Sequence, residues 1–207
     1  MMQLYHEHWK GVLRYNIFIV ILSSLFLFSC DILSTRNPEE PIIDTNSNPP
    51  ATTPQLVISN FIAAFQNKNI LEYEKLISDT TQNGRLYKFN PTTAAKIRYS
   101  TLFQQWNKIS EKQFITKLIT SLKSPSSPSL TLLNSRYEYT YADSALYSSN
   151  YQINVEHLIT SIPTQFKGKF YLTLNKNNVN IWSISLCEDF ETSKDSSFSD
   201  CKGAFSN

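Results

Sequence analysis

Past the loop Lys123–Ser129 the hydrophobic period of the chain changes from helical to two and stays there for four segments. Leu133, Tyr137, Tyr139 and Tyr141 alternate with Asn134, Arg136, Glu138 and Thr140. Over 147–159, Tyr147, Tyr151, Ile153, Val155, His157 and Ile159 share one face, with Gln152, Asn154 and Glu156 opposite. Ile162-Pro163 ends that run, and a third strand covers Phe166 to Leu174. Asn175-Lys176-Asn177-Asn178 reads as a hairpin turn into a fourth strand, Val179 to Cys187, which carries Trp182, Ile184 and Leu186 on one side. Four strands in succession, joined by short turns, predict an antiparallel and strongly curved sheet.

The segments before the loop supply the helices. Thr53 is placed to cap a helix with Pro54 at its first position, where a missing N–H costs nothing. Val57, Phe61, Ala64 and Phe65 recur at helical spacing behind it, and Asn67-Lys68-Asn69 closes the element. Asn69 with Glu72 three residues on predicts a short second helix that buries Ile70, Tyr73, Leu76 and Ile77. Arg85–Phe89 reads as a short strand stopped by Asn90-Pro91. Residues 93–122 are helical with a break: Leu102, Phe103 and Trp106 share a face before it, and Ser110 with Gln113 forms a capping-box pattern after it. The fold class is therefore α+β, with N-terminal helices packed on a curved antiparallel sheet of four to five strands.

Residues 31–54 hold Pro38, Pro41, Pro49, Pro50 and Pro54 among polar residues, a mixture that buries no core and makes a semi-extended tether. Upstream, Lys10 and Arg14 precede an apolar run from Ile17 to Phe28. Crossing a bilayer as a helix takes about 20 apolar residues, so this shorter run reads as the core of a secretory signal. Leu27-Phe28-Ser29-Cys30 then resembles the lipobox of bacterial lipoproteins. The resemblance implies cleavage before Cys30 and acylation of its sulfur, which anchors a protein without a spanning helix. The chain accordingly divides into a signal (1–29), a tether (30–53), an α+β domain (54–190) and a C-terminal tail (191–207). The expected location is the bacterial cell envelope, on a periplasmic or surface face.

Charge adds an exclusion. Without Lys10, Arg14 and Glu7 the mature chain keeps 17 basic and 16 acidic residues, which gives no electrostatic case for nucleic acid. Eight basic residues and one acid, Glu111, lie between Arg85 and Lys123; such a run is either a solvated face or a contact for anionic lipid or an acidic partner. With Cys30 committed to lipid, Cys187 and Cys201 remain as an even pair. They form either a disulfide, worth about 3 kcal/mol for so short a loop, or two free thiols. No spacing of residues suggests a metal or other cofactor.

The order of elements resembles the nuclear transport factor 2-like superfamily, the SnoaL-like α+β cone. Phe61–Asn69 with Tyr73 and Leu76 looks like its opening helix pair. Gly168–Leu172, Trp182-Ser183-Ile184 and Glu188-Asp189 look like its closing strands, although Cys187 stands near a place where similar lipoproteins often carry a tryptophan. The resemblance covers roughly 54–190. It implies a sheet wrapped around the long helix with a cavity at the wide end. Members include isomerases, dehydratases, ligand binders and interaction modules, and the enzymes need an ionisable dyad inside the cone. His157 is the only base on the apolar face, and Tyr151, Tyr87, Tyr139 and Trp106 are its candidate pocket neighbours; Tyr137 is another tyrosine that could share that face. With no carboxylate to complete a dyad, no catalytic residue is assigned. The expectation is a lipid-anchored, non-catalytic cone that binds a small apolar ligand or an envelope protein, with a second copy of the chain as a further candidate partner. The alternative is a small isomerase- or hydrolase-like enzyme that uses His157.

Overall fold

A computed structural model describes residues 47–83, 85–192 and 196–206. The signal, Cys30 and most of the tether lie outside the described residues. The last tether residues are already part of the domain. Ala51 is buried and its carbonyl accepts from the Trp182 N–H at 2.7 Å, while the Asn60 side chain donates to the Pro49 carbonyl at 2.7 Å.

The helices begin where polar side chains satisfy their free N–H groups. Helix α1, Pro54–Gln66, is capped by Thr53, whose side chain accepts from the Leu56 N–H at 3.2 Å. Asn69 caps α2, Ile70–Lys75, by accepting from the Glu72 N–H at 3.1 Å, and Lys68 turns the chain between them with φ of 58°. A single-turn helix α3, Thr80–Asn83, precedes strand β1, Lys88–Asn90. The helical stretch after it is three helices: α4, Thr93–Arg98, α5, Ser100–Phe103, and α6, Lys108–Thr120. The capping box of α6 is formed by Asn107 and Ser110, three residues upstream of the predicted Ser110–Gln113 pair. Asn107 offers a carboxamide oxygen that reaches two N–H groups, at 2.9 and 3.3 Å.

Strands β2, Ser129–Thr140, β3, Ser144–Asn154, β4, Gln165–Lys176, and β5, Trp182–Glu191, follow as an antiparallel meander. Strand β1 adds to β5 in parallel, so the sheet is mixed, in the order β1-β5-β4-β3-β2. The alternation puts Ala145, Tyr147, Tyr151 and Ile153 of β3 and Phe166, Phe170, Leu172 and Leu174 of β4 on the covered side, all buried. Helix α1 lies against β2 and β5, and α2 packs on α6.

Strand β2 departs from simple alternation. Its register shifts between Leu133 and Arg136 and again between Tyr137 and Tyr139. Tyr137 therefore stands opposite Tyr147, an inward residue, whereas Tyr139 stands opposite Leu146 on the outer side. A bulge inserts one residue into a period of two, and everything beyond it changes face.

The chain beyond β5 is no tail. Phe198–Ser206 forms helix α7, which packs against α6 and β4. Phe198, Cys201, Lys202 and Phe205 fall at i, i+3, i+4 and i+7 and are all buried. Ser197 caps the helix reciprocally with Asp200: the Ser197 N–H and O–H donate to the carboxylate at 2.9 and 2.7 Å, and the Asp200 N–H donates back to Ser197 Oγ at 3.1 Å. Arg98 secures the same carboxylate from α4 at 2.7 Å. The ring of Tyr99 lies where a side chain on Gly203 would project, so glycine there lets α7 approach α4 closely.

Candidate functional site

The inside of the cone is organised by Glu111, one turn into α6 and 1% exposed. Four donors converge on its carboxylate. Tyr87 and Trp106 reach Oε1 at 2.6 and 2.8 Å, and Tyr73 reaches Oε2 at 3.1 Å. The fourth is the ammonium of Lys202, which arrives from α7 and pairs with Oε1. Burial, reinforced by the Glu111 charge, holds the phenols of Tyr73 and Tyr87 well above their ordinary value of 10, so both stay protonated as donors.

Lys202 is itself fully buried. Its Nζ sits 4.4 Å from the ring centroids of Phe89 and Phe198 and 5.1 Å from those of Trp106 and Phe114. Aromatic faces carry negative charge density, so four rings and a carboxylate surround this ammonium with attraction. The space left beside it, between Phe61, Tyr73, Ile77, Leu172 and Ile184, amounts to about 10 Å³. That is room for about one water molecule.

A second buried carboxylate fastens α7 in place. Asp189 accepts from Tyr151 Oη at 2.6 Å and from the N–H and hydroxyl of Ser199 at 2.7 and 2.6 Å. Tyr151 Oη in turn accepts from the Phe198 N–H at 2.6 Å. Burial raises the Asp189 carboxyl above its ordinary 3.8 despite these donors, and burial likewise raises the Tyr151 phenol. Gly168 faces Tyr151 across the β3–β4 ladder, and a side chain there would collide with the phenol. Its bare backbone gives Tyr151 the room to reach both partners.

Of the five residues expected to line a pocket, Tyr87, Trp106 and Tyr151 lie inside the cone. His157 and Tyr139 do not. Strand β3 ends at Asn154, so His157 falls beyond the strand, half-buried, at an isolated bridge to Leu122. There His157 Nδ1 accepts from the Ile159 N–H at 3.2 Å, which leaves the proton on Nε2 to donate to the Pro163 carbonyl at 3.1 Å. Both ring nitrogens are spent on the local turn, and the ring meets Phe205 edge-on. Tyr139 stacks on Tyr141 on the outer hairpin, 37% exposed. The residues that sequence reasoning missed are Glu111, Asp189 and Lys202.

Cys187 and Cys201 are two free, buried thiols rather than a bridge. Cys187 stands in β5 between Leu172 and Phe89 of the neighbouring strands, Cys201 lies on the buried stripe of α7, and each is enclosed as a small apolar side chain. Burial raises both above the ordinary thiol value of 9.0. The basic run between Arg85 and Lys123 is partly neutralised: Arg98 pairs with Asp200, Lys108 with Asp79 and Lys112 with Glu74, and Lys117 donates to the Ser206 carbonyl. Among the described residues no group of three or more His, Cys, Asp or Glu could hold a metal ion.

Neither a family model nor a curated protein matches the sequence. Solved structures do match the fold. A candidate aromatic ring hydroxylase from Novosphingobium aromaticivorans aligns with a TM-score of 0.51 at 11% identity, over 72% of this chain and 92% of that one. A candidate scytalone dehydratase from the same organism aligns at 0.50 and 11% identity, over 65% and 78%. A nuclear transport factor 2-like superfamily protein from Salmonella enterica aligns at 0.46 and 10% identity, over 67% and 87%. The domain is α+β, with helices packed on one face of a five-stranded curved mixed sheet, and it shares this fold with the first two of these structures.

Proposed function

We propose that this protein is a lipid-anchored component of the bacterial cell envelope whose cone serves as a non-catalytic module for binding a protein partner. The observation that carries the reading is the filled interior. Where an enzyme of this fold would hold its substrate, Lys202 is paired with Glu111 inside a shell of rings, with about 10 Å³ left over. Ligand pockets usually offer about 300–1,000 Å³. His157, the base that a small isomerase or hydrolase would have used, stands beyond the end of β3, half-buried, with both nitrogens engaged.

The anchoring half of the proposal rests on Leu27-Phe28-Ser29-Cys30 after an apolar run. Cys30→Ala is expected to abolish labelling by a fatty-acid probe and to leave an uncleaved or soluble form. A variant that still labels and runs at mature size would refute the anchor. The module half is tested by thermal melts of the wild-type protein with lipophilic ligands and with enolisable ketones. No shift and no turnover are expected, and turnover that disappears in His157→Ala would overturn the reading.

A further inference from the structure

Four aromatic faces and a carboxylate around one ammonium are the chemistry by which proteins recognise organic cations. Lys202 is a long side chain that a short helix drives into this setting, and three groups hold that helix by its N-terminal turn: Tyr151, Asp189 and the Ser197–Asp200 box. Three of the four rings, Phe89, Trp106 and Phe114, belong to β1 and the helical layer, and only Phe198 comes with α7. Glu111, Tyr73, Tyr87 and Trp106 also lie outside α7. Most of the cage therefore belongs to the cone, and the cation that fills it belongs to the C-terminal helix.

We propose that the cone interior is a receptor site for a primary alkylammonium group, which this chain occupies in cis with the ammonium of Lys202. The carboxylate sets the charge of the ligand, and the rings set its apolar stem and reject a bulky hydrated ion. The Tyr87 hydroxyl and the Trp106 N–H hold Oε1 and the Tyr73 hydroxyl holds Oε2, which fixes the carboxylate where the ammonium meets it. The proposal concerns the interior that this chain fills itself, and it stands or falls independently of both the partner-binding reading and the lipid anchor.

The test is chemical rescue in the full-length protein. Lys202→Ala removes three methylenes and the ammonium, which together are the atoms of propylammonium. Propylammonium chloride is expected to raise the melting temperature of Lys202→Ala saturably at constant ionic strength, and to leave the wild type, whose site is filled, unchanged. At a hundredfold excess over its dissociation constant the amine should raise the folding constant by about 100-fold. Propanol and propionate should not rescue, and a Lys202→Ala/Glu111→Gln protein should not respond to the amine. If Lys202→Ala does not fold alone, the readout becomes recovery of folded protein on dilution from urea with and without propylammonium, where recovery supports the site. Absence of rescue in both formats, equal rescue by propanol, or equal rescue in the double variant would each overturn the proposal.

Discussion

Removing only the charge of Lys202 tests how the interior is balanced. Lys202→Met keeps a stem of similar length and leaves Glu111 with three neutral donors, at 2.6, 2.8 and 3.1 Å. Breaking a buried ion pair by deleting one partner costs about 3–5 kcal/mol, and these donors place Lys202→Met at the lower end. Glu111→Gln leaves a fully buried ammonium with ring faces and one neutral oxygen, which places it at the upper end. The double variant Lys202→Met/Glu111→Gln carries no buried charge, and exchanging a whole pair is often close to neutral. It should cost no more than the worse single variant, which implies a coupling energy of at least about 3 kcal/mol. Urea unfolding of the full chain by fluorescence and circular dichroism gives the four stabilities. For a domain of this size 3 kcal/mol corresponds to roughly 6–12 °C in melting temperature. Additive single effects, or single variants within about 0.5 kcal/mol of the wild type, would refute the reasoning.

Asp189 has a definite pH signature. Its carboxyl is raised above 3.8 by burial, so over that window the folded protein holds a proton that the unfolded chain has released. Stability from this group is complete at low pH and declines as pH rises through the raised value; wild type minus Asp189→Asn, followed by urea midpoints, should shrink from about pH 4 upward, and a constant or widening difference would contradict this. Gly168→Ala brings a methyl against the Tyr151 phenol and 2.7 Å from the Phe190 carbonyl, so a melt should show a loss of about 1–3 kcal/mol, and an unchanged melt would mean that Tyr151 is not fixed. His157→Leu should cost about 1 kcal/mol through its two turn hydrogen bonds and raise nothing, and a variant that melts higher would put the ring back on an apolar face.

Where a residue's role depended on its near neighbours, the sequence was a good guide. Thr53 and Asn69 cap the helices that their spacing announces, and β3 and β4 bury the residues that alternate. Failures came where a local rule ended unseen. The bulges in β2 carry no composition signal, so Tyr139 changed face, and β3 stopped at Asn154, so His157 fell outside the sheet. The central pair is 91 residues apart, and in the sequence Glu111 reads as a lone acid in a basic run while Lys202 sits in a stretch read as tail. A signal for α7 did exist: Ser197 and Asp200 have capping-box spacing, and Phe198, Cys201 and Phe205 follow at helical intervals. Reading 191–207 as a C-terminal tail passed over that pattern.

The central claim is that α7 is an integral plug of the cone, and native-state hydrogen exchange tests it most directly. The Phe198 N–H is held by Tyr151, the Ser199 N–H by Asp189 and the Cys201 N–H by the Ser197 carbonyl at 3.0 Å. Peptides spanning 198–205 should be protected as strongly as those of β3 and β4, and should exchange only when the whole domain opens. Exchange of those peptides within seconds, as at a frayed terminus, while β3 and β4 remain protected, would contradict the account.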